Sequence, residues 1–214
     1  MSSNDDFLVE IGTEELPPKA LRQLMVAFGE NLTKAIDEAR LSHRNVHTYA
    51  SPRRLTVLVE RLALKQDDRE VDQKGPPTKV AFDSDGNPTP AATAFANKCG
   101  VSVDDLDREQ TEKGEWLTFT HLEQGKAAAE LLPEIIERAL AALPIPRRMR
   151  WGAGDAEFVR PVHWIVLLHG KDVVEARVMG IPAGRDSRGH RFHSSGPVSI
   201  ARPGEYLGAL EKEG

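Results

Sequence analysis

The side chains in this chain that could do chemistry are scattered, and most of their spacings do not bring them to one point. Glu14 and Glu15 form a carboxylate pair of the type used in acid–base catalysis. Adjacent side chains seldom reach one site, and acids just ahead of a helix favour its positive end, so a structural role is expected. Asp83-Ser84-Asp85-Gly86 opens like a calcium loop but lacks the third oxygen ligand and the closing glutamate, which reads as an exposed turn. Gly152-Ala153-Gly154 begins like a dinucleotide fingerprint, yet position 157 is glutamate and no strand directly precedes it. Among the seven histidines, His190 and His193 are three apart and would face opposite sides of a strand, while His163 and His169 flank an apolar run. No paired-cysteine or HExxH signature accompanies them, so no metal site is expected. Cys99 lies at a helix end with no base near it in sequence and reads as a structural thiol. No catalytic residue is assigned.

The remaining chemistry is cationic. From Ile145 to His193 nine Lys/Arg stand against five Asp/Glu, a local +4 in a chain of net charge -5. The stretch contains PIPRRMRWG, FVRPVHW and RGHRF, and an earlier SPRRL adds Arg53 and Arg54. Arginine presents a planar, permanently charged fork suited to phosphate oxygens. Trp151 and Phe192, interleaved with arginines, could stack on bases. The candidate RNA-contacting set is therefore Arg53, Arg54, Arg147, Arg148, Arg150, Trp151, Arg188 and Arg191. The competing reading is structural: Trp151 and Trp164 in the core, arginines bridging loops, and the basic stretch a solvated face.

Several elements must position these groups. Phe7–Ile11 reads as a buried strand. Pro17-Pro18 launches a helix over about Lys19 to Arg40, whose Leu21, Leu24, Met25, Phe28, Leu32, Ala35, Ile36 and Ala39 make one apolar stripe. Strands follow over 46–50 and 55–62, joined by Ser51-Pro52-Arg53-Arg54. Residues 65–88 are polar and rich in turn formers, and read as a connector between lobes 1–64 and 89–214. A small-residue helix over 89–99 ends at Gly100, Ser102 caps a short turn, and Lys113-Gly114 turns a hairpin. A second strong helix spans about 127–143, with Pro133 marking either its start or a kink. His163–Leu168 is apolar throughout, so that strand is expected to be buried on both faces, with Val173–Met179 as its antiparallel neighbour. Short strands over 188–192 and 198–200 and a helix from Glu205 to Glu213 complete the pattern. Together these give an α+β fold with mixed or mainly antiparallel sheet.

Composition narrows the class. At 214 residues the chain can bury a proper core, and 40% hydrophobic with 29% charged residues is ordinary for a globular protein. It holds no run of about 18 apolar residues, which leaves no membrane-spanning helix. The acidic first residues do not resemble a signal peptide. The lone Cys99 excludes an internal disulfide and agrees with a reducing cytoplasm.

Six motifs occur in order: FLVEIGTEELPPKAL at 7–21, SPRRL at 51–55, KGEWL at 113–117, LPIPRRMRWG at 143–152, FVRPVHW at 158–164 and RGHRF at 188–192. Over essentially the whole length they resemble the N-terminal region of the beta subunit of bacterial heterotetrameric glycyl-tRNA synthetase. The resemblance implies part of an ATP-dependent glycine–tRNA ligase of two alpha and two beta subunits, in the cytoplasm. It places ATP, with Mg, at the alpha subunit and assigns no cofactor to this chain. It makes the alpha subunit and glycine tRNA the partners, with tRNA handling and assembly the role. It also implies that the C-terminal anticodon-binding region is absent and that this piece alone does not charge tRNA. Two alternatives stay open: a scaffold docking the alpha subunit without touching RNA, and an editing-like hydrolytic site around His163, His190 or His193. Gly12, Pro17 and Pro18 are expected to be backbone devices, fixing a turn and a helix start.

Overall fold

The computed structural model describes residues 4–112, 114–152, 154–189 and 196–213. Lys113, His190, Arg191, Phe192 and His193 lie outside the described residues. The chain divides into two units: 1–67 with 126–214, and an insertion of 68–125.

In chain order the first segment gives β1 (Asn4–Thr13), α1 (Pro18–Glu38), β2 (Val46–Ser51) and β3 (Arg54–Ala63). The insertion carries β4 (Arg69–Pro77), α2 (Thr78–Ala81), α3 (Pro90–Cys99), β5 (Asp107–Thr111) and β6 (Gly114–Glu123). The chain returns with α4 (Ala128–Ala141), β7 (Met149–Arg150), β8 (Glu157–Phe158), β9 (Val162–His169), β10 (Asp172–Val173), β11 (Arg177–Val178) and β12 (Ile181–Gly184). Last come β13 (Asp186–Arg188), β14 (Pro197–Ser199) and α5 (Tyr206–Glu211). The fold is α+β, with antiparallel and mixed sheets.

The larger unit is built on a sheet of order β11-β12-β9-β1-β3-β2, with β10 also on β9. β1 pairs antiparallel with both β3 and β9, and β12 runs parallel to β9. Because β1 is central, its two sets of alternate side chains are both covered. Phe7, Val9 and Ile11 join the core under α1 and α4. Leu8 faces the other way, into a smaller cluster with Leu58, Trp164, Val166 and Tyr206. The apolar stripe of α1 behaves as its spacing requires: Leu24, Phe28, Leu32 and Ile36 are buried, each contributing about 1.5–3 kcal/mol. Asn31 Nδ2 donates to the Ala139 carbonyl of α4 at 3.1 Å.

Several expectations change. Residues 65–88 are no connector between two lobes. β4 and α2 occupy most of that stretch, and the unit boundaries fall near 67 and 126. β4 looks like a loop in sequence because it is an edge strand whose side chains are half-buried or exposed, so it carries no apolar run. The insertion leaves the larger unit and returns beside itself: Gln66 N–H donates to the Lys126 carbonyl at 3.0 Å and Ala128 N–H to the Leu64 carbonyl at 2.8 Å. Its sheet, β4-β6-β5, packs on a small core of Ala81, Ala92, Phe95 and Leu117. Helix α3 ends at Gly100, whose φ of 75° is the left-handed conformation a C-terminal glycine supplies. α4 begins five residues before Pro133, which lies inside it. Val173–Met179 is broken into β10 and β11, and only β10 pairs with β9.

His169, at the end of β9, is 7% exposed and shares its Nε2 with the Leu62 carbonyl at 3.1 Å. Burial holds its pKa below the ordinary histidine value, with the Leu62 carbonyl and Asp5 opposing. The unfolded chain therefore binds the extra proton first, and the stability held by neutral His169 is complete above about pH 6.5. That stability is lost as pH falls through the lowered folded value. The expected outcome is a Tm that drops on acidification from pH 7.5 to 5.5, with a shallower drop in His169→Gln; identical pH profiles for the two proteins would refute it.

Candidate functional site

On the second face of the large sheet, register brings five polar or special residues together. Gly12 of β1 lies opposite Arg54 of β3 and Trp164 of β9, and Glu10 lies opposite Thr56 and Val166. Strand alternation points Glu10, Arg54, Thr56 and Trp164 to the same side. β13 and α5 add Ser187 and Tyr206 to that side.

The centre is Glu10, which is fully buried. Its Oε1 accepts from Trp164 Nε1 at 2.5 Å and from Ser187 Oγ at 2.6 Å. Its Oε2 accepts from the Tyr206 hydroxyl and from Arg54 Nη1 at 3.3 Å. Thr56 Oγ1 donates to the Tyr206 oxygen at 2.8 Å. Arg54 also reaches Ser187 Oγ at 3.2 Å and the Arg188 carbonyl. Burial, reinforced by the Glu10 carboxylate, pushes the Tyr206 phenol well above its ordinary pKa, so it remains a donor. A buried carboxylate is tolerable only when its lone pairs are filled and a cation is near, and both conditions hold here.

Gly12 makes the arrangement possible. A Cβ there would fall 1.9 Å from Trp164 Cε2, so the indole occupies the space a side chain would take. This glycine lies inside a strand and serves a close approach; it does not fix a turn. Two guanidinium groups lie over the indole: Arg188 at 5.5 Å and Arg53 at 5.9 Å from the ring centroid. Arg53 Nε is buried with no acceptor among the described residues. Beside them opens a cleft of about 610 Å³, walled by Tyr49, Arg53, Trp164, Tyr206 and Leu210.

The arginines expected to meet RNA separate into distinct kinds. Arg54 is committed to Glu10, Ser187 and the Arg188 carbonyl. Arg148 braces the backbone, donating to the Ala141 carbonyl at 2.7 Å. Arg150 is exposed and pairs with the fully exposed Asp155 at 3.5 Å, a contact worth little in water. Arg147 and Arg188 are exposed, and Arg53 is half-buried. Trp151 is half-buried and packs against the main core. Arg191 lies outside the described residues.

The other motifs have local roles. The Glu14 carboxylate pairs with His163 Nε2 at 2.8 Å, while Glu15 accepts from Arg160 Nε through its backbone carbonyl at 3.1 Å. Asp83 accepts backbone N–H groups of Asp85 and Asn87 at 3.0 and 2.8 Å, closing a turn. The Cys99 thiol is half-buried, 3.6 Å from Gln73 Oε1. Among the described residues no group of three or more His, Cys, Asp or Glu is placed to hold a metal ion. No described helix is long and apolar enough to cross a membrane. Glu10, Thr56, Ser187 and Tyr206 were not singled out from sequence. The available signal was Glu10 itself, a lone carboxylate inside an apolar strand run.

Residues 7–214 match the family model described as glycyl-tRNA synthetase beta subunit. The chain is 49% identical over 212 residues to the glycine–tRNA ligase beta subunit of Marinobacter nauticus, covering 99% of this chain and 31% of that protein. Against the same subunit of Hahella chejuensis it is 50% identical over 212 residues, with the same coverage. Against that of Pseudomonas aeruginosa PAO1 it is 52% identical over 205 residues, covering 96% of this chain and 29% of that protein. The chain thus spans under a third of the length of these relatives.

Proposed function

The chain belongs to the glycyl-tRNA synthetase beta-subunit family, and from that premise we propose that it forms a tRNA-handling and assembly region of such a subunit. The subunit works in the cytoplasm with an alpha subunit, in an alpha2-beta2 tetramer, to attach glycine to its tRNA using ATP. ATP and Mg bind at the alpha subunit, and this chain alone does not charge tRNA.

The observation that carries the RNA contact is the distribution of charge. The insertion holds six Lys/Arg against twelve Asp/Glu, a net of −6, which leaves +1 for the remainder of the −5 chain. An RNA backbone is repelled by the first and accepted by the second. Within the larger unit, Arg53, Arg147, Arg150 and Arg188 have no strong carboxylate partner among the described residues. Arg150 has only its exposed contact with Asp155 to give up, and these four are the groups assigned to phosphate.

The test is tRNA affinity of the purified protein and of Arg147→Ala/Arg150→Ala. The double variant is expected to bind roughly tenfold or more weakly, with its fold unchanged. Arg148→Ala, by contrast, should disturb folding first. Equal binding by the double variant would support a scaffold that docks the alpha subunit without touching RNA.

A further inference from the structure

We propose that the cleft beside Trp164 receives one unpaired nucleotide of a single-stranded RNA segment. The inference rests on the tRNA-handling reading and adds to it a site and a ligand class.

The walls of the cleft divide by chemistry. On one side stand Arg53, whose buried Nε lacks an acceptor, and the Trp164 indole, over which Arg53 and Arg188 both lie. This side offers donors and positive charge, the complement of a phosphate. The middle is apolar and aromatic. Trp164 and Tyr206 are nearly fully buried, and Tyr49, half-buried, lines the cleft with them. Glu15 and Glu211 also line the cleft and bring acceptors.

That combination discriminates among ligands. A compact polyanion would meet the two carboxylates and be repelled. A nucleotide unit answers every wall: its phosphate to the guanidinium groups, its base to Tyr49, its amino or ribose hydroxyl donors to Glu15 or Glu211. The volume of about 610 Å³ lies in the range of small-ligand pockets. A base inside a duplex cannot enter, so the site selects unpaired nucleotides. The guanidinium side is held in place from below. Arg54 ties β3 to the Arg188 carbonyl, and Glu10 fixes two residues that line the cleft, through the Trp164 N–H and the Tyr206 hydroxyl.

The experiment is competition against labelled glycine tRNA by three probes: an adenosine hexaribonucleotide, a hairpin duplex of equal charge, and AMP. Each is run with the wild type, Tyr49→Ala and Arg53→Gln, with circular dichroism as the check on folding. The hexamer is expected to compete and the duplex to compete far more weakly. Tyr49→Ala should weaken the hexamer roughly tenfold, the size of one lost base–aromatic stack. tRNA binding that stays tight while the hexamer fails to compete would overturn the cleft and leave the tRNA reading standing. AMP competing as strongly as the hexamer would also overturn it, by assigning the cleft to a free nucleotide. If tRNA itself does not bind, the reading beneath the proposal has failed and the proposal fails with it.

Discussion

Glu10→Ala is expected to cost about 3–5 kcal/mol of folding stability, the range for breaking a buried ion pair from one side. The Glu10 side chain is 0% exposed and that of Arg54 14% exposed, so water cannot replace the lost carboxylate. The substitution leaves the Trp164 N–H and the Ser187 hydroxyl without their acceptor, removes the only carboxylate paired with Arg54 among the described residues, and leaves Tyr206 only its contact with Thr56. Glu10→Gln keeps an acceptor oxygen but turns an amide N–H₂ toward groups that are themselves donors, so it should be milder yet still destabilising. Removing both ionic partners, as in Glu10→Leu/Arg54→Met, should cost less than Glu10→Ala, because no uncompensated charge remains. Urea midpoints with unchanged m-values would measure each effect. A loss below about 1 kcal/mol for Glu10→Ala would mean that the carboxylate is not the fastening point of this face.

Gly12→Ala carries the second large effect, about 3 kcal/mol, at the upper end for overpacking. The new Cβ lands 1.9 Å from one indole carbon and 2.0 Å from another, and the obstacle is a fused ring with no flexible end to swing away. The ring can yield only by leaving its hydrogen bond to Glu10 and its place under Arg53 and Arg188. The damage should therefore depend on Trp164. In a double-mutant cycle with Trp164→Phe, a coupling above about 1 kcal/mol is expected, since the two residues share one space. Independent, additive effects would show that the backbone at Gly12, and not the indole, sets the cost.

Much of the architecture is legible in the sequence because its signals are local. The α1 stripe from Leu21 to Ala39, the hairpin around Ser51–Arg54 and the stop at Gly100 each rest on neighbouring residues. The apolar run of β9 implies burial on both faces, which holds for Trp164–Leu168 but not for His163, which is exposed. The insertion is not legible, since edge strand β4 (REVDQKGPP) has the composition of a loop, and only its pairing with β6 makes it a strand. The division of the arginines is hidden for a related reason. Arg147, Arg148 and Arg150 are chemically equivalent in sequence, and tertiary position alone makes Arg148 a brace and leaves Arg147 exposed. The Glu10 hub joins residues up to 196 positions apart, so no window of sequence contains it. The order of motifs shared with the beta-subunit family carries the functional reading that single residues could not.

The most direct test of RNA contact is the dependence of glycine tRNA affinity on salt, measured for the purified protein and for Arg147→Ala/Arg150→Ala. With Arg53, Arg147, Arg150 and Arg188 meeting phosphates, log K should fall against log salt with a slope of about −3 to −4. The double variant should be shallower by about 2. A flat dependence in a folded protein, or equal slopes for the two, would contradict a phosphate-contacting surface here and place the RNA contacts of the subunit elsewhere.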